Sequence, residues 1–328
     1  MSEDTNDIML QLKDFTKYYV RNPGSRKYER IIKAVNGVSF SIRRGQTVGL
    51  VGESGSGKST IGRAIVRDFE ATSGEILFRA DPSEELMCVG KMDKHQLMRL
   101  RSNIQMVFQN PYSSLNPRMT VRDIVAEPLL IHKTCPRDQI TDSVISTLNE
   151  VGMQTQYYLR YPHSFSGGQR QRIAIARAII SNPKLILLDE SVSMLDVSIR
   201  AQILNLLVDI QKKYSLSYLF ISHDLSVIRY ICDSVVVLYC GKIMETSPKE
   251  ELIGNPVHPY SIALMDAMPS IDKPPPDYVI RGEIPDPANP PGGCYYHPRC
   301  DRCSGICKTE APELRDIGSG RSVACHNI

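Results

Sequence analysis

The residues best suited to chemistry begin at Gly52-Glu-Ser-Gly-Ser-Gly-Lys58-Ser59, which has the spacing G-x-x-x-x-G-K-[ST]. Glycines at these positions let backbone N–H groups turn inward and grip phosphate oxygens at the start of a helix. Lys58 then reaches the outer phosphates of a nucleotide, and the Ser59 hydroxyl suits Mg²⁺. A second group is Asp189-Glu190, directly after the apolar run Leu185-Ile-Leu-Leu188. Asp189 is placed to hold Mg²⁺ through water, and Glu190 to polarise an attacking water as general base. A third is Ser166-Gly167-Gly168-Gln169, which reads as the capped start of a helix and so as a second anion-binding helix N-terminus. Each of these has an ordinary structural explanation taken alone; their order along one chain argues against it.

The elements that must carry these groups follow from periodicity. Thr47–Val51 reads as a buried strand running into the glycine loop and then a helix, the order a phosphate-binding unit needs. Further strands are expected at Met9–Val20, Val35–Ile42, Ile104–Phe108, Leu185–Leu188, Tyr218–Ile221 and Val235–Leu238. Helical patterns run over Val121–Ile131, Arg137–Val151, Gln169–Ile180, Ile199–Lys213 and Leu225–Ile231. Strands alternating with helices predict an α/β fold with a largely parallel sheet covered on both faces. Residues 115–165 hold helical patterns and no strand, and read as a helical subdomain inserted into that core. Arg21–Arg30 reads as an exposed loop.

The chain has 328 residues, 42% of them hydrophobic, enough for one large domain and an appendage. A net charge of +3 is far from the basic stripe of a nucleic-acid binder, so no nucleic-acid partner is expected. The N-terminus carries no apolar leader, and no apolar run approaches the roughly 18 residues that span a bilayer. A cytoplasmic location is expected, with any membrane contact made through partners. After Met268 prolines crowd the chain, including Pro274, Pro275, Pro276, Pro290 and Pro291, so a boundary is placed there: residues 1–268 as the main domain and 269–328 as a loop-rich tail.

The segment Phe165-Ser-Gly-Gly-Gln-Arg-Gln-Arg172 resembles the signature of ABC ATPases, and the other pieces follow that family's order. The resemblance implies a P-loop NTPase core of the ABC nucleotide-binding type. Within it, Gln109 resembles the glutamine that contacts Mg²⁺ and the attacking water. Asp196, closing Ser193-Met-Leu-Asp196, resembles the loop that crosses a cassette dimer. His223 resembles the switch histidine at the γ-phosphate. Nucleotide contacts are implied for Gly52, Ser54, Gly55, Gly57, Lys58, Ser59 and Thr60, with Ser166, Gly167, Gly168, Gln169 and Asp196 facing a partner's nucleotide. Mg²⁺ falls to Ser59, Gln109 and Asp189. Tyr19 is expected to stack on adenine, with Tyr18 and Tyr28 as alternatives.

Three stretches, Phe108-Gln-Asn-Pro-Tyr-Ser-Ser-Leu-Asn-Pro-Arg118, Tyr161-Pro-His-Ser-Phe-Ser-Gly-Gly-Gln169 and Asn255-Pro-Val-His-Pro-Tyr260, are similar to the oligopeptide/dipeptide importers of this family. The chain departs from the family at Ser191, where a proline is usual, and at Met194, where alanine is usual.

The tail spaces cysteines as Cys294-x₅-Cys300-x₂-Cys303-x₃-Cys307-x₁₇-Cys325, a crowding that suggests a metal site. The resemblance implies a [4Fe–4S] cluster on Cys294, Cys300, Cys307 and Cys325, with Cys303 extra. Zinc, with His297 or His326 joining the thiols, or free thiols, are the alternatives. The function implied is an ATP-hydrolysing subunit that energises import of di- or oligopeptides. Its expected partners are a second, non-identical cassette, two membrane-spanning permeases and an extracytoplasmic solute-binding protein, with the chain peripheral on the cytoplasmic face of the membrane. Nickel, glutathione, opine or oligosaccharide cargo, or a soluble ABC ATPase, are the competing readings.

Overall fold

The computed structural model describes residues 7–21, 30–267 and 282–328. Tyr28, most of the expected loop Arg21–Arg30, and the boundary at 268/269 lie outside the described residues. In chain order the elements open with β1 (Ile8–Arg21), β2 (Arg30–Arg43), β3 (Thr47–Val51), α1 (Lys58–Ile65), β4 (Ser73–Phe78), β5 (Met87–Cys88), α2 (Lys94–Asn103) and β6 (Ile104–Val107). The helical stretch follows as α3 (Pro111–Ser114), α4 (Val121–His132), α5 (Ile140–Glu150) and α6 (Gly167–Ile179). The chain continues through β7 (Leu185–Asp189), α7 (Val197–Tyr214), β8 (Ser217–Ser222), α8 (Leu225–Ile231), β9 (Ser234–Tyr239) and β10 (Lys242–Pro248). It closes with α9 (Lys249–Gly254), α10 (Pro259–Asp266), α11 (Gly305–Thr309), β11 (Arg315–Gly318) and β12 (Arg321–Val323).

Two compact units emerge from the backbone contacts. The first comprises Met1–Met9, Ile42–Gln46 and Phe78–Phe220. In it β6 and β7 pair in parallel, Ile104 beside Leu185 through Val107 beside Leu188. All of β7 is buried, its apolar run Leu185–Leu188 as a strand with covered faces requires and Asp189 at its end. Between β6 and β7 the described chain is helical. α6 packs against α3, α4, α5 and α7, burying Ile173, Ala174, Ile175, Ala176, Ala178 and Ile179. Each large aliphatic side chain so buried contributes roughly 1.5–3 kcal/mol.

The second unit comprises Leu10–Ser41, Thr47–Leu77 and Ile221–Ile328. Here β3 pairs in parallel with β9, Val48 beside Ser234 through Val51 beside Val237. The expectation of a largely parallel sheet holds for this pair, as it does for β6 and β7, but not for the strands that follow β9. β10 is antiparallel to β9, β12 antiparallel to β10, and β11 antiparallel to β12. β2, β1 and β4 lie side by side in a separate sheet.

The tail is better built than its proline content predicted. β12 adds Val323 and Ser322 to β10. Tyr296, Val323, Ala324 and Cys325 are buried. The buried Glu245 of β10 is held from the tail by Arg321, at 3.4 Å. Helix α5 is also shorter than Arg137–Val151, because Arg137–Gln139 forms a separate 3₁₀ turn.

Candidate nucleotide site

In the second unit, β3 delivers the glycine loop and α1 receives it. Gly57 caps α1 with φ 102°. A Cβ at Gly57 would stand 2.4 Å from the Ala34 carbonyl oxygen, and one at Gly52 would stand 2.1 Å from that of Leu238. Both positions therefore exclude any side chain. Lys58 is buried, and its Nζ donates to the carbonyl oxygens of Gly52 at 2.7 Å and Glu53 at 2.9 Å, so the ammonium is folded back across the arc of the loop. Ser54, Gly55 and Ser59 are exposed, and Thr60 half-buried.

Two tyrosines of β1 differ in their surroundings. The Tyr18 hydroxyl donates to Asn36 Oδ1 at 2.9 Å. Tyr19 is 37% exposed, makes an edge contact with Phe69 and lies beneath Lys17 Nζ. Tyr19 is thus the more accessible ring of the two. His223 is exposed in the turn between β8 and α8, and the next residue, Asp224, caps α8 by accepting from the Ser226 N–H.

In the first unit, Asp189 ends β7 and is buried at 8% exposure. Glu190 follows with φ 46°, a left-handed conformation uncommon outside glycine, asparagine and aspartate. Its carbonyl oxygen accepts from the Ser193 N–H and hydroxyl, which closes a tight turn and turns the carboxylate out of the strand. That carboxylate accepts from Gln109 Nε2 at 2.6 Å. The two residues expected to manage the attacking water are therefore joined.

Ser166 is the N-cap of α6, whose first residue is Gly167 rather than Gln169. Its hydroxyl accepts from the Gln169 N–H, and the Gln169 side chain accepts in return from the Ser166 N–H, a reciprocal capping box. Gly168 is needed for packing, since a Cβ there would meet Ile199 Cγ2 at 2.5 Å. Arg170 stacks over the Tyr112 ring and donates to the Phe165 carbonyl. Asp196 and Met194 are exposed.

The oxygen donors Ser59 and Asp189 are of the hard type that Mg²⁺ takes. All nine cysteines of the chain are free, the five of the tail among them. Burial raises the Cys294 thiol, with further repulsion from Cys307 and Cys325. Burial pushes Cys300 up to about 11, with Cys294 and Cys325 adding to the shift. At Cys307 burial acts upward too, but hydrogen bonds with Ser304 outweigh it and hold the thiol low. Cys294 thus lies near enough to Cys300, Cys307 and Cys325 to interact with them. Among the described residues, however, no group of three or more His, Cys, Asp or Glu side chains is arranged to hold a metal ion.

Residues 35–193 match the ABC transporter family, and residues 244–307 match the C-terminal region of oligopeptide/dipeptide transporters. The chain is 46% identical to the oligopeptide transport ATP-binding protein AppF of Bacillus subtilis, over 99% of each. This chain belongs to the ATP-binding subunits of ABC transporters. The subunit is also 46% identical to the dipeptide transport ATP-binding protein DppF of Escherichia coli, over 98% of this chain and 94% of that protein. Among solved structures, the cassette MJ0796, captured as a dimer in a post-hydrolysis state with ADP and Pi, aligns with a TM-score of 0.63 at 26% identity. That alignment covers 74% of this subunit and 99% of the cassette. CbiO1 of Clostridium perfringens, part of the transporter complex cbiONQ, aligns equally well over 80% of this subunit and 95% of that chain. The subunit is accordingly an ATPase that uses ATP with Mg²⁺. No helix among its described residues is long and apolar enough to cross a membrane.

Sequence reasoning missed Glu53, Tyr260 and Arg299 around the phosphate loop. Tyr260 lay within a family-like stretch, but its contact with residue 53 spans 207 positions. No local signal marks such a partner.

Proposed function

We propose that this subunit energises uptake of di- or oligopeptides through two permease subunits fed by a solute-binding protein. The observation that carries this reading is a cassette joined in one chain to residues 244–307 of the oligopeptide/dipeptide type. Relatives matched from end to end and named for peptide transport support it.

In this reading Lys58 leaves the Gly52 and Glu53 carbonyls to neutralise the outer phosphates. The loop N–H groups of Ser54 through Thr60 hold the phosphate chain, and Tyr19 stacks on the adenine. Ser59, Gln109 and Asp189 would hold Mg²⁺, which would supply positive charge to offset that of the phosphates. Glu190 accepts a proton from the attacking water while Gln109 orients it, and His223 contacts the γ-phosphate. Ser166, Gly167, Gly168, Gln169 and Asp196 face the nucleotide of a second cassette, so the cassette works as half of a pair. The helical subdomain at 115–165 receives the permease, which places the subunit on the cytoplasmic face of the membrane. Residues 269–328 form the appended C-terminal domain.

For a [4Fe–4S] cluster on Cys294, Cys300, Cys307 and Cys325 the support is the suitability of four thiolate donors crowded into one short stretch of chain. The geometry does not gather three of them as a metal site, and no step of hydrolysis passes through it. Iron in anaerobically purified protein supports the cluster; zinc without iron excludes it.

The function is tested with the transporter reconstituted in vesicles. Peptide loaded on the solute-binding protein should accelerate ATP hydrolysis and enter the lumen. Uptake of another solute, with peptide inert, would overturn the cargo assignment.

A further inference from the structure

Glu53, the second residue of the phosphate loop, is held at every polar group it has. Its N–H donates to the Tyr260 hydroxyl at 3.0 Å, and its carbonyl accepts from Lys58 Nζ at 2.9 Å. Its carboxylate takes two hydrogen bonds from Arg299, Nη1 to Oε2 at 2.7 Å and Nη2 to Oε1 at 3.0 Å. This is the fork-to-fork arrangement that fixes geometry as well as charge. The pair is sheltered, with the Arg299 side chain 4% exposed and that of Glu53 21%.

Arg299 in turn donates to the Tyr239 hydroxyl at 3.2 Å. Tyr239, Tyr260 and Tyr296 pack their rings together around it. Arg299 lies on the 3₁₀ turn His297–Arg299, built between Cys294 and Cys300 by bonds from the His297 N–H to the Cys294 carbonyl and from the Cys300 N–H to the His297 carbonyl. The cysteine-bearing tail thus plants a guanidinium on the phosphate loop, 246 residues away in sequence.

We propose that Arg299 is a positioning residue of the nucleotide site: through Glu53 it sets the arc of the phosphate loop, so that the folded state of the cysteine tail governs affinity for MgATP. The interaction acts on binding, because Glu53 shares its carbonyl with the lysine that must turn to the phosphates. Occupancy by nucleotide must in turn steady the tail, since coupling between two sites is reciprocal. This rests on the phosphate loop being the ATP site, which Lys58→Ala tests separately: retained affinity in that variant would sink the site assignment itself.

The experiment measures MgATP affinity of the full chain for wild type, Arg299→Ala, Arg299→Lys, Glu53→Gln and the double variant Arg299→Ala/Glu53→Gln. Arg299→Ala and Glu53→Gln should each weaken binding about tenfold, the double variant no further, and Arg299→Lys should recover part of the loss. Hydrogen exchange over residues 294–307 should slow when MgATP is added to wild type, and not in Arg299→Ala. Wild-type affinity in Arg299→Ala, additive losses in the double variant, or nucleotide-independent exchange in the wild-type tail would each overturn the proposal. If Arg299→Ala does not fold, Glu53→Gln, which keeps shape and removes charge, carries the same test.

Discussion

Gln109 Nε2 donates to Glu190 Oε2 at 2.6 Å, which ties the second residue after β6 to the first residue after β7. The parallel pairing of these strands, Val107 beside Leu188, brings the two loops to the same end of the sheet. The left-handed turn at Glu190 then leaves its carboxylate available to the amide. Removing the amide removes the group that orients base and water without touching the phosphate loop. Gln109→Ala should therefore lower turnover by about 10–100-fold and weaken MgATP affinity by much less, since Ser59 and Asp189 remain as ligands for Mg²⁺ in the proposed site. Steady-state hydrolysis and equilibrium nucleotide binding on the same preparation check this.

The capping box at Ser166 makes a stability prediction independent of catalysis. Ser166→Ala deletes the hydroxyl that accepts from the Gln169 N–H and should cost about 1 kcal/mol in chemical denaturation of the isolated chain. The same variant should depress hydrolysis in the paired assembly far more than that figure if, as proposed, the turn faces the partner's nucleotide.

Two glycines of the phosphate loop should respond unequally to alanine. Gly55, with φ 79°, has open space where a Cβ would go, whereas at Gly57 a Cβ meets backbone at 2.4 Å. Gly55→Ala should cost about 1 kcal/mol from backbone strain alone. Gly57→Ala should cost several times more and displace Ala34. Thermal melts of the nucleotide-free variants separate the two.

How much of this was legible beforehand depended on how local each signal is. Thr47–Val51 and Leu225–Ile231 appear at their expected bounds because an apolar run or a helical period is complete within the segment. The Ser166–Gln169 pair was visible as a serine three residues before a glutamine. The same pattern at Asp93 and Gln96, which caps α2, was equally readable and was not used. β10 was not legible: it buries Glu245, whose carboxylate is satisfied by the Val257 and His258 N–H groups and by Arg321, 76 residues on. The left-handed turn at Glu190 was likewise hidden, because nothing in a glutamate announces it.

His258 predicts a pH dependence. It is buried, and its Nδ1 accepts from the Tyr260 N–H, which places the ring proton on Nε2. Burial lowers its pKa to about 4, partly offset by a hydrogen bond with the Ala324 backbone. The unfolded chain therefore binds a proton at about pH 6.5 that the folded chain refuses until about pH 4. The stability this ring contributes is fully present above pH 6.5 and is lost as pH falls across that window, on the order of 3 kcal/mol. His258→Asn, which keeps a capping acceptor and cannot titrate, should flatten the slope of unfolding free energy between pH 6.5 and 4.

In the proposed assembly each cassette supplies the phosphate loop of one nucleotide site and the Ser166 turn of another. The most direct measurement is the mass of Glu190→Gln protein with its partner cassette, in MgATP and in MgADP. MgATP should drive stable pairing that MgADP does not, and adding Ser166→Arg should abolish it. A Glu190→Gln chain that stays monomeric in MgATP, while wild-type monomers hydrolyse ATP at a specific rate independent of concentration, would contradict the account.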